Sequence, residues 1–199
     1  MTGRRRLSES ISEGDGISIL VEVDAAAGFA DVAREGGVAL VAPVGGVPPG
    51  AVLPVLVRGG SPADAEAAGA DAWLLVVGAS EDVLAERCAE ARELGIECVV
   101  VIRDENELER VLTEVDPEIV LLSPRGADSE TDAVDLVLDL LPDVPAGKLA
   151  VAELTHPTPE DLVALERAGV DAVLVGAGTV AALVNGPEAS FRRELEERS

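Results

Sequence analysis

One stretch of this chain occurs twice, half a chain apart. Glu66–Val76, EAAGADAWLLV, parallels Glu166–Gly176, ERAGVDAVLVG, at an offset of 100 in 199 residues. Each copy reads as the last turn of a helix, a glycine stop, an acidic residue and an apolar strand. Glycine takes the left-handed conformation that ends a helix at little cost. Duplication of one helix-to-strand junction at half-length predicts a fold of two similar halves built from repeated βα units.

The second copy sits in the clearest such unit, Lys148 to Gly178. Leu149–Ala152 is a short apolar run, as expected of a parallel strand buried on both faces. Glu153 ends it, and the only histidine, His156, follows. Thr158 before Pro159 is a helix N-cap with proline at the first helical position, and Asp161 follows three residues after the cap. Leu162, Leu165 and Ala168 make one apolar helical face, and Gly169 stops the helix. Ala172–Val175 is the next strand, and Gly176-Ala177-Gly178 leaves it.

The same grammar holds along the chain. Strands are predicted at 17–23, 38–42, 53–57, 72–77, 98–102, 119–122, 149–152 and 172–175. Helices are predicted at 28–34, 62–68, 81–94, 106–115, 133–141 and 159–168, with a short one at 179–183 and an acidic one at 187–197. The segment 126–132 reads as an acidic loop. The segment 43–50, PVGGVPPG, is too rich in Pro and Gly for a helix. It reads as a tight connector, with an apolar contact between copies of the chain, and hence a homo-oligomer, as the other reading. Strict alternation implies a parallel sheet. Eight strands with a half-length repeat predict a compact (β/α)8 TIM barrel, small because the helix after strand two is missing. Residues 1–15 read as a polar leader and 16–199 as one barrel domain.

Composition narrows the partners. Aromatic residues are 2% of the chain, so the core is aliphatic. The formal net charge is −23, which excludes nucleic acid and anionic membranes as partners. Lys148 is the only lysine. Strong acidity, little lysine and small aliphatic side chains point to a halophilic protein, whose self-repulsion salt screens. No apolar run is long enough for a membrane span and no signal peptide follows the N-terminal arginines, so the expected location is the cytoplasm. Cys88 falls in a helix pattern and Cys98 in a strand pattern, and both read as small core residues.

From about Ile17 onward the chain resembles indole-3-glycerol-phosphate synthase, a (β/α)8 enzyme of tryptophan synthesis. GADAWLLVV, ELGIECVVVIRDENELERVL and TPEDLVALERAGVDAVLVG carry the resemblance most clearly, and ISILVEV, EGG and LPVLVRG align with the early strands. The family's long N-terminal extension is absent. The resemblance implies decarboxylation and ring closure on a phosphorylated anilino-sugar, with catalysis by lysines, glutamates and an asparagine at strand ends. It also implies a phosphate site near strands seven and eight. Residue by residue, Glu22 matches the first-strand glutamate, while the lysine two positions on is Asp24. The third-strand lysine is Arg58, whose guanidinium gives up a proton poorly. The strand-five glutamate falls at Val101. The strand-six asparagine falls at Leu122, beside Ser123. The strand-seven Ser-Glu-Ser-Gly is Ala152-Glu153-Leu154-Thr155. Gly176 is kept, and the small polar residue after it is Ala177.

These substitutions remove the tunable proton donors that ring closure needs. The expected function is therefore a divergent barrel, without the synthase activity, that binds or acts on a small anionic molecule, phosphorylated ones included. As an enzyme it would carry out lyase- or isomerase-type chemistry. The alternatives are a non-catalytic barrel serving as an assembly partner and an active synthase. Catalytic candidates are Glu22 and Glu153 as acid/base groups and His156 as a proton shuttle. Ligand-binding candidates are Asp24, Arg58, Ser123, Arg125, Gly176 and Gly178, with Arg58 holding an anionic group. Gly176 to Gly178 offers backbone N–H groups to a phosphate. No nucleotide-binding glycine motif or metal-ligand spacing is present, so no cofactor and no metal is expected. Glu22 and Asp24 alone leave a cation without a third ligand.

Overall fold

The computed structural model describes residues 6–14, 16–23, 29–78, 83–123 and 129–185. Eight parallel strands close into a barrel in sequence order: β1 (Ser18–Glu22), β2 (Ala39–Pro43), β3 (Val55–Arg58), β4 (Ala72–Val76), β5 (Glu97–Ile102), β6 (Ile119–Leu122), β7 (Leu149–Glu153) and β8 (Ala172–Gly176). The helices are α1 (Leu7–Ser12), α2 (Phe29–Arg34), α3 (Pro62–Ala68), α4 (Leu84–Glu93), α5 (Glu105–Glu114), α6 (Glu130–Leu140), α7 (Pro159–Ala168) and α8 (Val180–Asn185). A single 3-10 turn, Val44–Gly46, stands where a helix would follow β2. The compact (β/α)8 barrel expected from the sequence is thus the fold observed. Among the described residues no helix is long and apolar enough to cross a membrane.

Alternation along the strands sorts the core into two shells. Outward residues such as Val21, Val57, Trp73, Val100 and Val173 pack against the helices. Inward residues such as Leu20, Leu56, Leu74, Leu121 and Leu174 fill the barrel. The strand register stacks the inward side chains in layers from alternate strands. Leu20, Leu56, Val99 and Val151 form one layer, and Val41, Leu74, Leu121 and Leu174 the next one up. The uppermost layer of the odd strands is Glu22, Arg58, Val101 and Glu153. At the lower end the layer is Ala39, Ala72, Ile119 and Ala172, three of them too small to fill it.

That space is taken by α1. Leu7 and Ile11, four apart on one face, are buried in the inner shell beneath the alanines. Burying one such side chain contributes about 1.5–3 kcal/mol. Glu97, at the start of β5, accepts from the backbone N–H groups of Leu7 at 2.5 Å and Ser8 at 3.3 Å, and pairs with Arg6 at 3.2 Å. A carboxylate at a helix N-terminus satisfies orphan amides and opposes the helix dipole. Ser18 Oγ donates to the Ile11 carbonyl at 2.9 Å, tying down the other end. Residues 7–12 were expected within a polar leader; in the structure they floor the barrel. Two apolar residues in a polar stretch carry too little pattern to show this.

Three further expectations are corrected. Cys88 and Cys98 do not sit as separate thiols: they form a disulfide joining α4 to β5, with Cα atoms 5.8 Å apart. A spacing of 10 residues cannot reveal that the helix runs back beside its own following strand. Helix α6 begins at Glu130, inside the expected acidic loop, because Ser129 caps it by accepting from the Asp132 N–H at 3.2 Å. Strand β3 begins and ends later than expected, so Arg58 lies within it rather than beyond it. The acidic helix expected at 187–197 lies outside the described residues.

Candidate active site at the carboxyl ends of the strands

Every strand of the barrel ends at the same face, where the βα loops of this fold carry chemistry. There the upper odd-strand layer forms a charged triad. Arg58 reaches across from β3, its Nη2 2.5 Å from Glu153 Oε1 on β7 and its Nε 2.9 Å from Glu22 Oε1 on β1. The Nε contact is an ion pair, too bent for a hydrogen bond, and the atom is buried. The three side chains are 32%, 25% and 41% exposed, so water screens the pairs and each contributes about 1 kcal/mol at most. Val101 fills the fourth corner, buried and apolar.

Beside the triad lies a cleft of about 700 Å³, bounded by the ends of β1, β6, β7 and β8. Glu22, Glu153, Ser123, His156, Gly176 and Gly178 all line it, and Gly176 on β8 is the register partner of Glu22 on β1. Six of the nine expected site residues therefore line one cavity. Arg58 is held by the two glutamates rather than lining the cleft. Asp24 and Arg125 lie outside the described residues. The position aligned with the family's strand-six asparagine, Leu122, faces outward into the helical shell; Ser123 is the residue of that strand end at the cleft.

Local sequence builds this side of the mouth. Thr158 accepts from the Asp161 N–H at 3.2 Å while the Asp161 carboxylate accepts from the Thr158 N–H at 2.8 Å, a reciprocal capping box. With Pro159 at the first turn this starts α7 abruptly, so the β7–α7 loop, with Thr155 and His156, stays over the cleft. On β8, a Cβ at Gly176 or Gly178 would meet nothing within 4 Å, so the backbone there is open to a ligand. A 3-10 turn, Ala177–Thr179, leads from it into α8, and Thr179 also lines the cleft. Thr155 and Thr179 are hydroxyl-bearing lining residues that the sequence reading did not propose. Their position immediately after strand ends was the available signal.

The remaining cations near the described mouth are engaged. Arg103 pairs with Glu107 at 2.8 Å and donates to the Val77 carbonyl. Lys148 lies at the opposite face, 2.6 Å from Asp116 and donating to the Pro117 carbonyl at 2.8 Å. The hydrogen bond and charge of Lys148 hold the Asp116 carboxyl below its ordinary value. Among the described residues no cluster of three or more His, Cys, Asp or Glu is placed to hold a metal ion.

Together these features define a (β/α)8 barrel with an open cleft at its carboxyl face. The family profile of indole-3-glycerol phosphate synthase matches residues 62–189, more than half of the chain, and the chain belongs to that family. The N-acetylmannosamine-6-phosphate 2-epimerase from Clostridium perfringens superposes with a TM-score of 0.69 at 12% identity, over 99% of this chain and 98% of that one. A structure described as native KDPGal superposes with a TM-score of 0.62 at 13% identity, over 89% and 96%. At such identities the likeness is one of fold.

Proposed function

We propose that this chain is a divergent member of its family that binds, or acts on, a small phosphorylated molecule in the cleft between β7, β8 and β1, without synthase activity. The observation that carries the reading is the cleft itself: about 700 Å³, at the strand ends where the fold does its chemistry, lined by two carboxylates and by open glycine backbone. Backbone N–H groups at Gly176–Thr179 suit a phosphate, and Glu22, Glu153 and His156 supply acid/base groups to what is bound. A mouth closed by ion pairs, as a purely structural barrel would have, leaves no such volume.

The synthase activity is set aside on the chemistry of its proton donors. The only lysine is at the other end of the barrel, and Arg58 takes the place of the general acid. A guanidinium is a poor proton donor in general. Titrating the protein with inorganic phosphate, read by amide NMR shifts at Gly176–Thr179, tests the binding reading; no shift there would refute it. Incubation with the family's anilino-sugar phosphate tests the rest, because measurable indole-product turnover overturns the claim that activity is lost.

We further propose that the protein is adapted to high salt, on its net charge of −23 and single lysine. Its urea midpoint then rises with salt concentration; a flat response counts against this.

A further inference from the structure

The ring of helices has a gap, and the surface in that gap differs in kind from the helix faces around it. Between β2 and β3 a 3-10 turn, Val44–Gly46, and a loop stand where the fold calls for a helix. Residues 36–57 carry no charged or polar side chain, the longest such run in the chain. We propose that the exposed part of this run, within residues 43–53, is the contact face of a homodimer, with the loop of one copy packed on the same loop of a second.

Part of the loop is spent on the barrel. Val44, Val47 and Leu53 are half-buried and pack against the outer shell of the core. Val44 sits so close to the turn before α3 that a Cβ on Gly60 would lie 2.7 Å from its Cγ2. Pro43, Pro48, Pro49 and Pro54 fix φ along the segment. The loop is therefore held in one shape, and covering it costs little conformational entropy. The rest of it faces outward. Pro49, Gly50, Ala51 and Val52 are exposed in a row, and Val52, at 75%, is the most exposed large apolar side chain among the described residues. A contiguous apolar surface left uncovered on a fixed frame marks an interaction face.

Charge decides the partner. Acids stand exposed on the helices across the closed barrel from the gap: Glu109 and Glu114 on α5, Asp135 and Asp139 on α6, Glu160 and Glu166 on α7. A cationic partner would settle there and not on a face without charge. An anionic bilayer is repelled by the net charge of −23. A second copy carries the same charge, so its least costly approach joins the two uncharged loops and turns α5, α6 and α7 of each copy away from the other. A two-fold contact asks only that a patch match itself, which an apolar loop with no charges to align does. The repulsion that remains is screened by salt. One loop is a small contact, so the dimer is expected in the micromolar range, at the weak end of protein interfaces.

Sedimentation equilibrium of the full chain, from about 1 to 100 μM at low and at high salt, tests this. A monomer–dimer equilibrium is expected, with a dissociation constant at least about threefold lower at high salt. Val52→Glu is expected to weaken the dimer at least about tenfold and to leave the unfolding midpoint of the dilute monomer unchanged, because the side chain it replaces is exposed. Ala51→Glu, at the exposed neighbour, stands in should Val52→Glu fail to fold. Val163→Glu puts the same charge on an exposed valine of α7 and is expected to leave the dimer within about threefold of the unaltered chain. A chain that stays monomeric throughout overturns the proposal. So does a dimer that Val52→Glu leaves intact, one that Val163→Glu weakens as much, or a dissociation constant that rises with salt. A monomer that floats with phosphatidylcholine vesicles, and ceases to on Val52→Glu, gives the face to a lipid surface and overturns it too.

Discussion

The quarter β3–α3–β4 and the quarter β7–α7–β8 are the same piece of architecture used twice. Asp71 accepts from the Val55 N–H at 3.0 Å; Asp171 accepts from the Ala150 N–H at 2.7 Å. Each aspartate thus pins the start of the preceding strand from the start of the next. Gly69 and Gly169 end α3 and α7 in the left-handed conformation, φ 85° and 104°. Ser61 with Asp64, and Thr158 with Asp161, form matching capping boxes. Counting three residues from each pinned amide gives Arg58 and Glu153, so the central ion pair of the mouth joins two equivalent positions.

α3 is shorter than α7, 7 residues against 10, and the carboxyl ends of the two quarters also differ. The first quarter has Val76 at the rim and a cavity of about 350 Å³ beside Trp73; the second has Gly176 there and the cleft of about 700 Å³. A short Gly59-Gly60 link leads to α3, whereas a longer loop with Thr155 and His156 leads to α7. The repeated residues hold backbone; residues that differ at the strand ends, Gly176 among them, line the cleft. Folding constrains the lower end and the helix caps, while the upper loops are free to specialise.

The equivalence can be broken by mutation. Asp71→Ala and Asp171→Ala should each cost about 1–3 kcal/mol, since each leaves a strand amide without its acceptor. Urea unfolding checks this, and a large cost at one site with none at the other would end the parallel between the quarters. Gly176→Val, which copies Val76 onto the second quarter, should weaken phosphate-ester binding at least about tenfold, or about 1.4 kcal/mol. Its unfolding midpoint should hold, because a Cβ there meets nothing within 4 Å. Retained affinity would show that the glycine does not open the site. Ser61→Ala and Thr158→Ala should each cost about 1 kcal/mol by thermal melting.

The smallest effect concerns pH. The Ser61 side-chain and backbone hydrogen bonds hold the Asp64 carboxyl below its ordinary value. A lowered carboxylate adds stability that is present above the unfolded value of about 3.8 and fades as pH falls through the folded one. Asp64→Asn should flatten the acid limb of the stability curve in that window alone. A change near neutrality would point to another cause.

The sequence by itself determined the eight strands, most of the helices with their stops, and the eightfold alternation behind the barrel, though not α1 or the cap that starts α6. Each of these is written in neighbouring residues: a cap needs three, a strand five, a helical face ten. It also marked Glu22, Glu153 and Gly176 as strand-end residues of one face. Three things needed closure of the barrel. The floor is built by Leu7 and Ile11 because three alanines, Ala39, Ala72 and Ala172, leave room for them, a fact spread over three distant strands. The Cys88–Cys98 bridge depends on a helix folding back along β5. Arg58, expected to hold a ligand's anion, meets Glu22 and Glu153 because the stagger of a closed barrel lifts alternate strands into one layer. Strand alternation tells which side chains point inward, but only the stagger tells which of them share a height, and shared height decides where the charge of Arg58 goes.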